Sequence, residues 1–457
     1  MTEQNLNALN EEYDAKMTRK YEGKIKDGNL QIGDYSGGDP EITNLMFLEM
    51  FNIQSLILYI SSDMCVKLRS STLTKLTLIK QNNIFEIDQQ QRLNLNINDL
   101  ELENLEVLKL ENNKLKNQQL YNLAKFKKLH TLNISLNNVD LTYIHNVTSL
   151  TKLSMRECGL TSIDQITSLV SLEELDLSGN IDIDLSPLCK LKSLNKFSIL
   201  KCGLKNIDQI AQLTNLEVLA ISFNQLLTID SIRLLVNLKE LNINSNNKID
   251  ITPLKDLVGL IKLDMNRCEL RQLTALKSLI NLQDLNLSFN FDINISELQY
   301  LKNLTHLNLM YCNIVSIYVL RPLVNLEVLH LSYNNIVHLD ANLDEMKNLE
   351  KLRVQYNFVS DFSSVERHPN YNNINEDDDI YDQEEPSQEE LLQANKFRNI
   401  ERPNRQLKLI PHKSLKTTFN NFKQEINTTM NNARQSQIQF TANVVHLFQL
   451  LNQIGFE

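Results

Sequence analysis

The chain has 457 residues, a formal net charge of -10, 42% hydrophobic and 22% charged residues, no Trp, and only 10 Gly and 8 Pro. This balance excludes disordered and collagen-like chains, and the acidity argues against nucleic acid as the main ligand. No run approaches the roughly 18 apolar residues of a membrane span, and the polar N-terminus has no apolar signal core, so neither secretion nor membrane insertion is expected.

Six cysteines lie singly at Cys65, Cys158, Cys189, Cys202, Cys268 and Cys312. Without CxxC pairs or disulfide density they read as free thiols in a reducing cytoplasm.

In chain order, Leu6, Leu9, Tyr13, Met17 and Tyr21 fit one face of an amphipathic helix. Residues 1–40 therefore read as a helical and polar flank and cap, ending at a Gly37-Gly38 turn. Degenerate repeats come next, at Ile53, Leu56, Leu58 and at Leu73, Leu76, Leu78. From residue 105 one pattern, Leu-x-x-Leu-x-Leu-x-x-(Asn or Cys), starts at 105, 129, 150, 172, 194, 216, 238, 260, 282, 304, 326 and 349, with eight successive steps of 22 residues. Within a unit, Leu175-Asp176-Leu177 alternates with period two, as a short strand with one buried face requires. The next apolar run, such as Leu160, Ile163, Ile166, Leu169, Leu172, has period three, which suits a 3₁₀-like or extended return. One unit cannot bury its own Leu face, so neighbours must stack and their strands pair in parallel.

The ninth position needs a group that satisfies buried turn amides and carbonyls, and Asn113, Asn137, Asn180, Asn224, Asn246, Asn290, Asn334 and Asn357 fit that role. Cys158, Cys202, Cys268 and Cys312 take the same position, their separations all multiples of 22. At about 4.8 Å per strand the nearest two stand roughly 10 Å apart, too far for a disulfide. They read as buried thiols replacing Asn. The phrases Ile183-Asp-Leu-Ser-Pro-Leu, Ile249-Asp-Ile-Thr-Pro-Leu and Ile293-Asn-Ile-Ser-Glu-Leu each precede a Cys repeat, as if the array grew by copying pairs.

This pattern resembles the leucine-rich-repeat family, in particular the short-repeat class typified by the regulatory subunit of protein phosphatase 1, over about residues 50 to 365. The Ser/Thr-Pro-Leu phrases at Pro187 and Pro253 are similar to those of bacterial internalins. The resemblance implies an α/β repeat solenoid, a horseshoe with a parallel concave sheet and a 3₁₀ or extended convex side. It also implies a non-enzymatic platform that binds a protein, with a phosphatase-like enzyme as candidate partner; a cytoskeletal component is the candidate partner of the alternative reading, assembly through the tail. Residues 41–370 would form this solenoid, with Val359 to Tyr371 as its cap.

Beyond it, residues 376–390 hold nine acidic residues and no Lys or Arg, and an acidic linker is expected over 371–390. Ser387 and Glu390 form a capping-box signature, and Pro403 and Pro411 interrupt the helical pattern beyond it. Residues 391–457 form a basic tail, whose heptad-like seam from Leu415 to Ile454 suggests a coiled-coil-like helix and weak self-association through 413–454. A structural, self-assembling role through that helix is the alternative function.

On the strands, the residue before the ninth position is aromatic in four successive repeats. Phe289, Tyr311, Tyr333 and Tyr356, with Met310, His330 and Arg353, form the candidate protein-binding patch. HExxH, GxxxxGK[ST], GxSxG and GxGxxG are all missing from the sequence, so no catalytic residue, metal or cofactor is expected.

Overall fold

The computed structural model describes residues 16–17, 20–32, 51–60, 65–80, 94–339 and 343–359, together with Val365, His368 and Asn370. Most of the expected N-terminal helix, the acidic linker, the Ser387–Glu390 cap and the 413–454 seam lie outside the described residues. Of that helix, Met17 and Tyr21 are described and both are buried.

Strands β1 (Asn29–Ile32), β2 (Ser55–Ile60), β3 (Cys65–Arg69), β4 (Lys75–Lys80) and β5 (Asn94–Glu101) come first. Three-residue strands then recur at the repeat period: β6 (Val107–Lys109), β7 (Thr131–Asn133), β8 (Lys152–Ser154), β9 (Glu174–Asp176), β10 (Lys196–Ser198), β11 (Val218–Ala220), β12 (Glu240–Asn242), β13 (Lys262–Asp264), β14 (Asp284–Asn286), β15 (His306–Asn308), β16 (Val328–His330) and β17 (Lys351–Arg353). All but β3 and β5 form one parallel sheet of 15 strands in chain order. Each three-residue strand buries only its central residue. Leu219, Leu241 and Leu263 stand opposite one another across β11, β12 and β13, all buried, and each contributes roughly 1.5–3 kcal/mol of apolar burial.

The degenerate repeats join the same register, with Leu56 opposite Leu76 and Leu76 opposite Leu108. The sheet nevertheless begins earlier than the expected boundary at residue 41. Strand β1 pairs Leu30 with Leu56 inside the stretch assigned to the polar flank. Its Asn-Leu-Gln-Ile sequence alternates exposed and buried residues, a period-two signal too short to stand out without its partner strand.

Return segments carry the expected 3₁₀ turns from residue 117 onward, among them Asp164–Ser168, Ser186–Lys190, Asp208–Gln212 and Asp230–Leu234, each burying one central Ile or Leu. The Ile-Asp-x-Ser/Thr-Pro phrase has a local cause. Asp184 Oδ1 accepts from Ser186 N–H (2.9 Å) and Oγ–H (2.6 Å), and Asp250 Oδ1 accepts from Thr252 N–H (2.9 Å) and Oγ1–H (2.6 Å). The carboxylate closes the turn that Pro187 or Pro253 then enters as a first-turn residue, and those donors hold both carboxyls below their ordinary range. Ahead of residue 117 the return is different. Strands β3 and β5 pair with each other in parallel on that side.

At the C-terminal end, His368 is buried with its Nε2 3.0 Å from Met346 O, and Asn370 Nδ2 donates to Lys347 O at 2.9 Å. Of the expected cap, residues 360–364, 366, 367, 369 and 371 lie outside the described residues.

Candidate functional site

The turn that leaves each strand places two adjacent columns, one inward and one outward. Inward is the ninth position. Asn290 Oδ1 accepts from Cys268 N–H (3.1 Å) and Leu270 N–H (3.0 Å) of the preceding repeat, while its Nδ2 donates to Met265 O (2.9 Å) and its own Leu287 O (2.8 Å). Asn137, Asn180, Asn224 and Asn334 repeat this two-way bonding. Where Cys takes the place, the thiol donates to the same carbonyl. Cys158 Sγ lies 3.4 Å from Ile134 O, Cys268 Sγ 3.3 Å from Ile243 O, and Cys312 Sγ 3.2 Å from Leu287 O. Burial pushes the Cys158 thiol up to about 11 and those of Cys268 and Cys312 up to about 12. A thiol at that value is protonated at neutral pH and is not a nucleophile. All five cysteines with described side chains are free.

Outward is the eighth position, and its backbone is left-handed throughout: φ is 57° at Leu136, 51° at Glu157, 56° at Phe223, 53° at Arg267, 59° at Phe289, 56° at Tyr311, 59° at Tyr333 and 57° at Tyr356. Only Gly179 is the residue type that adopts this region freely. Those with a following repeat are held there by bonds to it, such as Phe289 N–H to Met310 O (2.8 Å) and Tyr333 N–H to Gln355 O (2.9 Å). A shared φ sends every side chain off in the same direction, one strand spacing apart. The four aromatics consequently stack face to face, with ring centroids 4.8 Å apart for Phe289 and Tyr311, 4.3 Å for Tyr311 and Tyr333, and 4.2 Å for Tyr333 and Tyr356. The guanidinium of Arg267 covers the outer face of Phe289 at 4.6 Å. Stacking hides the inner rings: Tyr311 is only 5% exposed, whereas the terminal Tyr356 is 60% exposed.

The other three predicted residues sit beside this stack on the sheet face. Met310 comes two residues after the end of β15 and is half-buried. His330 and Arg353 stand opposite each other in β16 and β17. Burial, with the Arg353 charge beside it, holds the His330 imidazole down at about 4, so it is neutral at physiological pH. All seven candidates therefore converge on the last four repeats, but unequally. Tyr356 offers open surface, Tyr311 offers mainly ring edges, and His330 is largely covered.

Two features escaped sequence reasoning. Phe223, in the same outward column, is 45% exposed and has Lys201 Nζ 5.2 Å from its ring. A second asparagine ladder runs where the return side meets the strands: Asn215, Asn237, Asn281, Asn303 and Asn325 each donate through Nδ2 to a carbonyl 23 residues earlier at 2.8–3.0 Å. Its signal was the Asn that recurs just before the first Leu in most repeats from residue 215 onward, with Gly259 the exception.

Among the described residues there is no cluster of three or more metal-ligating side chains, and no helix is long and apolar enough to cross a membrane. A family model for leucine-rich repeats matches residues 148–190 and 214–256. The fold is similar to an internalin of Listeria monocytogenes, at 24% identity over 71% of this chain and 86% of that one, with a TM-score of 0.52. It is also similar to a leucine-rich-repeat protein of Leptospira interrogans, at 23% identity over 77% of this chain and 97% of that one, with a TM-score of 0.55. No curated protein sequence matches the chain. Register, turn chemistry and these likenesses agree that the chain carries leucine-rich repeats, matched over residues 148–190 and 214–256, within a parallel sheet whose fold is similar to that of leucine-rich-repeat proteins.

Proposed function

We propose that the solenoid is a non-enzymatic platform, an adaptor or regulatory subunit of the cytoplasm, that binds a protein partner on its sheet face and aromatic rim. The observation that carries this reading is the stack from Phe289 to Tyr356, with Met310, His330 and Arg353 alongside. Aromatics and Arg supply most binding energy at protein interfaces, and here they are held on a ladder that loses little entropy when a partner docks. The 22-residue step and 3₁₀ returns support placing the repeats in the short class, whose resemblance suggests a phosphatase-like enzyme as partner. The experiment is affinity capture from native lysate with the full chain and with a chain ending at Pro369. A partner retained by both supports the platform. Loss of every partner on truncation contradicts it and moves the function to the tail.

A further inference from the structure

The outward column is a ladder of planar and cationic groups with one rung empty. In order it runs Lys201, Phe223, Ser245, Arg267, Phe289, Tyr311, Tyr333, Tyr356, one residue per strand. Ser245 has the backbone of its neighbours, with φ 55°, but its hydroxyl oxygen is buried, and it places nothing where the others place a ring or a guanidinium. Gly179 shows what happens when a bare rung is filled from within. A Cβ there would collide with Cγ of Glu157, whose side chain already lies across the gap. At Ser245 the flanking ring stays open, since Phe223 is 45% exposed while Tyr311, with a ring on each side, is 5% exposed.

The width of the gap selects its occupant. Phe223 and Arg267 are two strand spacings apart, about 9.5 Å, and two stacked contacts of about 3.5–4 Å each need roughly 7–8 Å. One aromatic ring fits, and two do not. A cation would meet the charge of Arg267 beside it and of Lys201 one rung beyond Phe223, and an anion would meet the negative face of Phe223. An aromatic ring gains from both walls, as Phe289 does between Arg267 and Tyr311.

We propose that the empty rung at Ser245 takes one aromatic side chain of a protein partner, stacked on Phe223 and covered by Arg267. This rests on the platform reading and adds the chemistry of one partner residue. The test uses the full chain with N-acetyltryptophanamide as probe, titrated by ligand-observed NMR. Ser245→Tyr should fill the rung from within and weaken the probe about tenfold or more, and Phe223→Ala should weaken it about fivefold. A tyrosine is compatible with this backbone, because Tyr311, Tyr333 and Tyr356 adopt it already. Probe binding that is the same in Ser245→Tyr and Phe223→Ala as in the wild type overturns the proposal. Retention of a partner by the chain ending at Pro369 is a separate result, so the rung can fail while the platform stands.

Discussion

Asn290 and Phe289 are neighbours in the chain, yet they belong to two regions with different physical tasks. The inward ladder is buried, and its amides and thiols bond backbone groups of their own and the preceding repeat. The outward rim varies from Leu136 to Glu157 to Phe289 under one backbone conformation. The contrast teaches that this turn fixes direction without fixing chemistry. A left-handed residue, disfavoured by roughly 1–2 kcal/mol, is tolerated at every non-glycine position of the column because the adjacent ladder holds the turn. That leaves the outward side chain to be chosen for what it touches.

The comparison breaks most visibly at the ladder. Asn290→Ala leaves the N–H groups of Cys268 and Leu270 and the carbonyl of Met265 without their ladder partner, and takes from Leu287 O one of its two donors, the other being the Cys312 thiol. We expect a loss of about 3–5 kcal/mol, read by urea denaturation. Hydrogen exchange should show it as faster opening of the repeats on both sides. A loss under about 1 kcal/mol would mean that the ladder is ornamental.

A smaller effect comes from pH. His330 is held near 4 in the folded chain against an ordinary 6.5, so between those values the unfolded chain binds a proton that the folded one refuses. Stability is therefore full above about pH 6.5 and falls as pH drops toward 4. From pH 7 to 5 the loss should be about 2 kcal/mol, and His330→Gln should flatten it. Asp264 opposes this, because burial raises its carboxyl above the ordinary value and its proton uptake favours the folded state at the acid end. An unchanged slope in His330→Gln would show that the imidazole is more open than its packing indicates.

The same contrast separates what was legible in the sequence from what was not. The repeat, the 3₁₀ returns and the asparagine ladder were all readable because each is a demand of one residue type at a fixed interval. The seven candidate residues were readable as a column, but their ranking was not. Whether Tyr311 or Tyr356 is open depends on which repeat is last and what stacks on it. Strand β1 escaped because Leu30 and Ile32 acquire meaning only beside Leu56 and Leu58. The strands on the return side, β3 and β5, belong to repeats spaced irregularly, so periodicity gave no guide to them. Phe223 was visible but isolated in sequence, and only the geometry at Ser245 shows why an isolated ring matters.

The rim should show the smallest stability effect and the largest effect on binding. In Tyr333→Ala/Tyr356→Ala the altered rings are the outer end of the stack, so unfolding should shift by no more than about 1 kcal/mol. The most direct measurement is the affinity of that double variant for the protein captured by the wild type, taken beside its urea midpoint. The expected result is a loss of about thirtyfold or more in affinity with the midpoint nearly unchanged. Unchanged affinity would contradict the assignment of binding to the rim, and a collapsed midpoint would show that the rim belongs with the ladder as part of what holds the fold.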